Sequence, residues 1–314
     1  MPVVRVYPRL FVTVSECWRN LTSISPCTSS RCYLSYAVEA VCSQDLVSFK
    51  ERLRPLGSGR VALHMDDETG LAGLVLDHED RRNALSGKMM SEFADAVDAL
   101  EGWERGVALT LRGRGNKAFC AGADLSLARE HLKTNEDGQL MCALMTDTLT
   151  RLRRLPMISV AIIEGSAVGG GAELATSCDF RVAGPGAKIQ FVQVKMGVST
   201  GWGGGSRLVG ILGRRQALRL LAWSSVVTAE EGLAMGLLDA VGEEGGNTEV
   251  LAAEFLDPVL CHAAYGAVRS VKSVVAAAAD VSRDVQLMEK GAFSQLWGGK
   301  DNRKVLESED KSKP

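Results

Sequence analysis

The stretch Ile158-Ser-Val-Ala-Ile-Ile-Glu-Gly-Ser-Ala-Val-Gly-Gly-Gly-Ala-Glu-Leu-Ala175 constrains this chain more than any other. It opens as an apolar, β-branched run, Ile158 to Ile163, the length of a buried strand. Gly165 breaks that run. Gly169, Gly170 and Gly171 then lead into Ala172-Glu173-Leu174-Ala175, which reads as the first turn of a helix. A helix start leaves backbone N–H groups unpaired and carries a partial positive charge. Glycine lets a ligand oxygen approach those groups, because no Cβ stands in the way. Two readings fit equally: an oxyanion site, or a tight turn packing a helix on a strand.

A second stretch has the same order of parts. Val107 to Arg112 reads as a strand, followed by Gly113-Arg-Gly-Asn-Lys-Ala-Phe-Cys-Ala-Gly-Ala-Asp-Leu125 and a helix start. Two such units, about 45 residues apart, can aim one N–H each at a single oxygen. That arrangement stabilises an enolate or a tetrahedral oxyanion. Phe119-Cys-Ala-Gly-Ala-Asp-Leu125 together with Gly169-Gly-Gly-Ala-Glu173 resembles the crotonase (enoyl-CoA hydratase/isomerase) superfamily. The resemblance covers roughly residues 60 to 300, and two motifs in order are more specific than either alone.

The remainder of the chain sets bounds on this reading. Its 314 residues carry a net charge of −2, enough for one large or two small domains with an ample core. The balanced charge gives no reason to expect a nucleic-acid partner, and no apolar run has membrane-spanning length. Of the eight Cys, four (Cys17, Cys27, Cys32, Cys42) fall in the first 42 residues. Cys120, Cys142, Cys178 and Cys261 sit in apolar sequence and read as buried thiols. With no CxxC pair, the expectation is a reducing compartment, the cytosol, without a disulfide framework. Residues 1–37 contain Arg5, Arg9, Arg19 and Arg31 against a single acid, Glu16. They read either as a mitochondrial transit peptide or as an extension outside the fold. The four His are scattered, which gives no His-based metal site.

Patterning predicts a helix over 38–54, strands at Val61–Leu63 and Leu71–Leu76 around a turn at 66–70, and a helix from Gly87 to Leu100. A helix over 137–154 ends at Pro156, and Cys178 to Ala183 is a strand. A further element starts at Ile189. Val198 to Gly205 is a loop with Trp202, helices begin at Ser206 and Arg214, and more helix follows over 228–234 and 247–297. Alternating strands and helices predict an α/β fold. The resemblance implies its form: a spiral of ββα units over 38–245, then a helical region over 246–300 that builds a homotrimer or hexamer. Residues 301–314 are expected to be a frayed, charged tail.

The resemblance also implies a chemistry. A thioester carbonyl would sit between the backbone N–H groups of Ala123 and Gly170. Gly169, Ala121, Gly122, Asp124 and Leu125 would follow the acyl-CoA, and Asn83 and Ala84 would line its nucleotide. Arg81 and Arg82 would meet its phosphates, the rival reading being surface arginines of a loop. No metal or organic cofactor is implied, since the CoA belongs to the substrate. Hydratases of this fold use two Glu as general acid and base. Glu173 stands at the first position, but Lys195 stands near the second. Decarboxylation of a malonyl-type thioester needs no such pair, because loss of carbon dioxide itself generates the enolate. Asp147-Thr-Leu-Thr-Arg151, Glu173-Leu-Ala-Thr-Ser-Cys-Asp-Phe-Arg181, Trp202-Gly-Gly204 and Leu296-Trp-Gly-Gly299 look like the ethylmalonyl-CoA decarboxylase family. Two residues depart from it: Lys195 stands where that family has Glu, and Thr200 where it tends to have Pro. Glu173 would position the substrate or exchange a proton, or else simply pair with its helix dipole. Trp202 would wall the acyl pocket, or pack the core. The alternatives are an enoyl-CoA hydratase/isomerase working through Glu173 alone, and a silent acyl-CoA-binding homologue.

Overall fold

The computed structural model describes residues 43–261, 265–279 and 283–310. The expectations for residues 1–42, and for 311–314, lie outside the described residues.

The chain begins with α1 (Ser43–Leu53), then β1 (Arg60–Met65) and β2 (Leu71–Asp77) as an antiparallel pair. Next come α2 (Gly87–Glu101), β3 (Ala108–Gly113), β4 (Ala118–Cys120), α3 (Leu125–Glu130) and α4 (Asn135–Arg154). The central stretch gives β5 (Ile158–Ile163), β6 (Ser166–Val168) and the short α5 (Gly170–Ala175). β7 (Phe180–Ala183), β8 (Lys188–Gln190), α6 (Gly204–Trp223), β9 (Val226–Thr228), α7 (Ala229–Met235) and β10 (Ala240–Val241) complete the spiral. The chain then runs through α8 (Thr248–Leu260), α9 (Tyr265–Ala278), α10 (Arg283–Leu296) and α11 (Lys300–Asp310).

Two sheets run along the spiral, and its successive turns give a strand to each. The larger has the order β1-β2-β3-β5-β7-β10 and is parallel from β2 onward. The smaller has the order β4-β6-β8-β9, parallel as far as β8. The repeating move is a long strand in the first sheet followed by a three-residue strand in the second: β3 then β4, β5 then β6, β7 then β8. Strands buried on both faces need continuous apolar sequence. Ile158–Ile163 supplies it, with every residue after Ile158 buried.

Local chemistry sets the ends of the elements around the cavity. Thr134 and Asp137 form a reciprocal capping box that starts α4. α5 stops after six residues because the Thr176 and Ser177 hydroxyls donate back to the carbonyls of Glu173 and Leu174. The two helices expected from Ser206 and Arg214 are one span broken at Gly213, whose φ of 73° and ψ of 163° are not helical.

Two expectations are corrected. Residues 300–310 are not a frayed tail but the helix α11, pinned because Asn302 and Leu306 are buried. Asn302 donates to the Met196 carbonyl and accepts from the Gly298 N–H. Cys120, Cys142 and Cys178 are buried as expected, but Cys261 is exposed. It follows the last turn of α8 and donates to Asp257 rather than entering the core.

Candidate active site

Register brings the two glycine motifs together. β4 and β6 are parallel neighbours, with Ala118 opposite Ser166 and Cys120 opposite Ala167. The turns that leave them, Ala121–Ala123 and Gly169–Gly171, therefore emerge side by side. Gly122 has φ +90°, a left-handed conformation suited to glycine, and a Cβ there would lie 3.0 Å from the Gly170 nitrogen. The neighbours of Ala123 are committed: Leu85 N–H donates to Gly122 O, and Asp124 N–H donates to Leu85 O. Among the described residues, the Ala123 amide itself has no partner. The same holds for Gly170, which occupies the first position of α5, where no intrahelical acceptor exists.

Both amides border a cavity of about 330 Å³. Ala121, Gly122, Leu125 and Gly169 border it as well. Trp202 lines it beside Gly170 and is also core, only 3% exposed, so its two proposed roles coincide. The roof comes from the C-terminal helices, through Phe293, Trp297, Asn302 and Leu306. Composition gave no sign that α11 would reach this site.

Among the described residues, two charged side chains line the cavity, Glu173 and Lys195. Glu173 is buried and its carboxylate is occupied. One oxygen accepts from Gln193 Nε2 at 2.7 Å and from the Gly201 N–H at 3.4 Å. The other accepts from the Trp202 and Gly204 N–H groups at 2.9 and 2.8 Å. Arg207, buried behind it, donates to the Glu173 and Trp202 carbonyls. Burial pushes the Glu173 carboxyl up to about 7, with the charge of Glu289 adding to the rise. Arg207 and the Gly204 and Trp202 amides pull the other way. Glu173 thus ties α5 to the loop that carries Trp202, besides facing the cavity. Lys195 sits on a 3-10 turn, Gln193–Met196, with an exposed side chain and no ion pair among the described residues.

A second cavity of about 380 Å³ adjoins the first, sharing Ala121, Ala123 and Leu125 with it. Arg81, Arg82, Arg129 and Ala84 line it, together with Asp124, which caps α3 by accepting from the Ser126 N–H. Arg81 and Arg82 are exposed. Asn83 departs from expectation. Its side chain is 1% exposed and turned inward, donating to the Arg114 and Ala118 carbonyls and accepting from the His78 N–H. It holds the left-handed bend at Arg82 and Asn83, with φ of 53° and 55°, and so shapes the loop without reaching the cavity.

The family described as enoyl-CoA hydratase/isomerase matches residues 66–309. The chain belongs to that family. Within it, the chain is 41% identical over 278 residues to the ethylmalonyl-CoA decarboxylase of Danio rerio, covering 87% of this chain and 91% of that protein. It is 36% identical over 265 residues to the Homo sapiens ethylmalonyl-CoA decarboxylase, covering 83% and 85%. A solved enoyl-CoA hydratase/isomerase from Xanthobacter autotrophicus Py2 superposes with a TM-score of 0.71 at 22% identity, over 80% of this chain and 93% of that one. That last likeness bears on the fold alone. The family's fold, the ββα spiral with C-terminal helices, is the one expected from the two glycine motifs.

Proposed function

We propose that this protein decarboxylates malonyl-type acyl-CoA thioesters, ethylmalonyl-CoA and methylmalonyl-CoA, through an enolate held by the Ala123 and Gly170 amides. One observation carries the reading. Among the described residues, the Ala123 and Gly170 N–H groups that border the cavity are unpartnered, while its lining holds a single carboxylate, Glu173. A hydratase needs an acid and a base for water. A decarboxylase needs a place for negative charge.

The thioester oxygen accepts from both amides. The bond between the α-carbon and the carboxylate breaks, its electrons move into the enolate, and carbon dioxide leaves. The α-carbon then takes a proton, giving a saturated acyl-CoA. Glu173, with its carboxyl raised to about 7, is a proton source at that carbon and is reprotonated from water. The second cavity suits the CoA phosphates, through Arg81 and Arg82. The relatives named ethylmalonyl-CoA decarboxylase support the choice of acyl group. The exposed Val271, Val274 and Val275 of α9 support assembly into a homotrimer or hexamer.

The test is direct. Purified protein is incubated separately with ethylmalonyl-CoA, methylmalonyl-CoA and crotonyl-CoA, and each is followed by mass. Loss of carbon dioxide from the first two, with crotonyl-CoA untouched, is expected. Run in heavy water, the product should carry deuterium at its α-carbon. Hydration of crotonyl-CoA with the malonyl thioesters intact would overturn the proposal.

A further inference from the structure

A malonyl-type substrate brings its own carboxylate into a largely apolar cavity, and burying an unpaired carboxylate is costly. The residues assigned above to binding and chemistry do not meet that charge. The Ala123 and Gly170 amides serve the thioester oxygen. Glu173 has the wrong sign, and Arg207 is spent on the Glu173 and Trp202 carbonyls. Resting on the decarboxylase reading, we infer that Lys195, supported by Gln193, forms the subsite that recognises the substrate's carboxylate.

Two independent observations point there. Lys195 is the cation of the cavity lining, and it has no ion pair among the described residues. Gln193 lines the same cavity and is 8% exposed; its Nε2 donates to Glu173, while its Oε1 is buried without a partner. A buried amide oxygen without a donor is an uncommon expense, and it signals a missing partner. Both residues stand on the 3-10 turn Gln193–Met196. A Lys ammonium has three N–H groups. Turned into the cavity, it donates to Gln193 Oε1 and to the substrate carboxylate together, so one movement satisfies the orphan oxygen and neutralises the incoming charge. The turn is itself anchored from below, since Asn302 holds the Met196 carbonyl. Lys195 thus selects thioesters that carry an α-carboxylate over neutral acyl-CoAs. It is a specificity residue, separate from the groups that stabilise the enolate.

The experiment compares the full chain with Lys195→Gln and Lys195→Arg. KM and kcat are measured with ethylmalonyl-CoA, and binding is measured with two unreactive probes of equal chain length, succinyl-CoA and butyryl-CoA. Lys195→Gln should raise KM for ethylmalonyl-CoA by about tenfold, the size of one lost charged hydrogen bond, with a smaller change in kcat. It should weaken succinyl-CoA binding comparably and leave butyryl-CoA binding unchanged. Lys195→Arg should restore most of the loss. Because Lys195 is exposed, the melting temperature should not move. An unchanged KM and an unchanged succinyl-to-butyryl ratio would overturn the inference. Equal weakening of both probes would also overturn it, placing Lys195 against the CoA moiety. Should the wild type fail to decarboxylate, the function proposed above falls. The probe ratio would still show whether the cavity reads a carboxylate through Lys195.

Discussion

The floor and the roof of the cavity are built from different parts of the peptide. The floor, β4 to α3 and β6 to α5, presents main-chain N–H groups at glycine turns. The roof, α10 and α11, presents the side chains of Phe293, Trp297 and Leu306. A backbone floor is held by register and close approach, so any added atom disturbs both amides at once. A side-chain roof changes by substitution without moving the chain. The contrast predicts that chemistry common to a family sits on the floor and acyl preference on the roof.

The sharpest way to break that contrast is an added methyl group under the floor. A Cβ at Gly171 would lie 2.0 Å from the Cys120 carbonyl oxygen, at the end of β4. Gly171→Ala must push the two turns apart. Destabilisation of about 3 kcal/mol is expected, with turnover down by about 100-fold, since misplacement by an ångström suffices for that. Gly186→Ala is the control: its Cβ would meet nothing within 4 Å, so activity and melting temperature should both hold. Near wild-type turnover in Gly171→Ala would show that the floor is not rigid.

Glu173 joins floor to roof-side loop, and its titration measures that joint. Its carboxyl is raised from an ordinary 4.5 to about 7 in the folded chain, first by burial. The folded state therefore holds the proton more tightly than the unfolded state. The stability this gives is fully present below about 4.5 and is lost as pH rises through about 7. Between those limits it amounts to as much as about 3 kcal/mol. Glu173→Gln keeps the shape and removes the titration, and a turned Gln193 amide can still bond to it. The difference in unfolding free energy between wild type and Glu173→Gln should thus slope with pH across this window. A flat difference would mean that Glu173 titrates normally.

Much of this arrangement was legible in the sequence, and the omissions have physical causes. Ile158–Ile163 announced itself because a strand buried on both faces must be continuously apolar. Both glycine motifs were legible as strand, turn and helix start, because a close backbone approach there calls for glycine, while their ligand role stayed open until the two motifs were taken together. The small sheet was not: β4, β6 and β8 are three residues each, too short for a period of two to show. Their pairing is what brings Ala123 and Gly170 together. Asn83 was misassigned because a polar residue in a binding-loop motif looks the same whether its amide faces ligand or backbone. α11 was hidden by its charge. Among the described side chains of that helix Asn302 and Leu306 are the buried ones, and two such positions leave little apolar periodicity.

α11 offers two smaller tests on the roof. Asn302→Ala strands the Gly298 N–H and the Met196 carbonyl. The expected cost is about 2 kcal/mol, accompanied by faster hydrogen exchange in α11 and in the 193–196 turn, while β5 stays protected. Equal loosening of β5 would mean that roof and floor unfold as one unit.

Leu306→Ala should perturb least and sharpen the comparison most. Leu306 is 9% exposed and lines the cavity, and its carbonyl accepts from Arg129 Nε, a bond the substitution leaves in place. The helix should therefore stay docked, at a cost of about 2 kcal/mol. The space vacated opens onto the cavity that the Ala123 and Gly170 amides border. A bulkier α-substituent should gain, and the ratio of kcat/KM for a propyl- over an ethyl-substituted malonyl thioester should rise by roughly tenfold. The rate on ethylmalonyl-CoA should fall only modestly, because the Ala123 and Gly170 amides have not moved. A uniform loss on both substrates would place Leu306 in the support of the floor and dissolve the division between main-chain chemistry and side-chain preference.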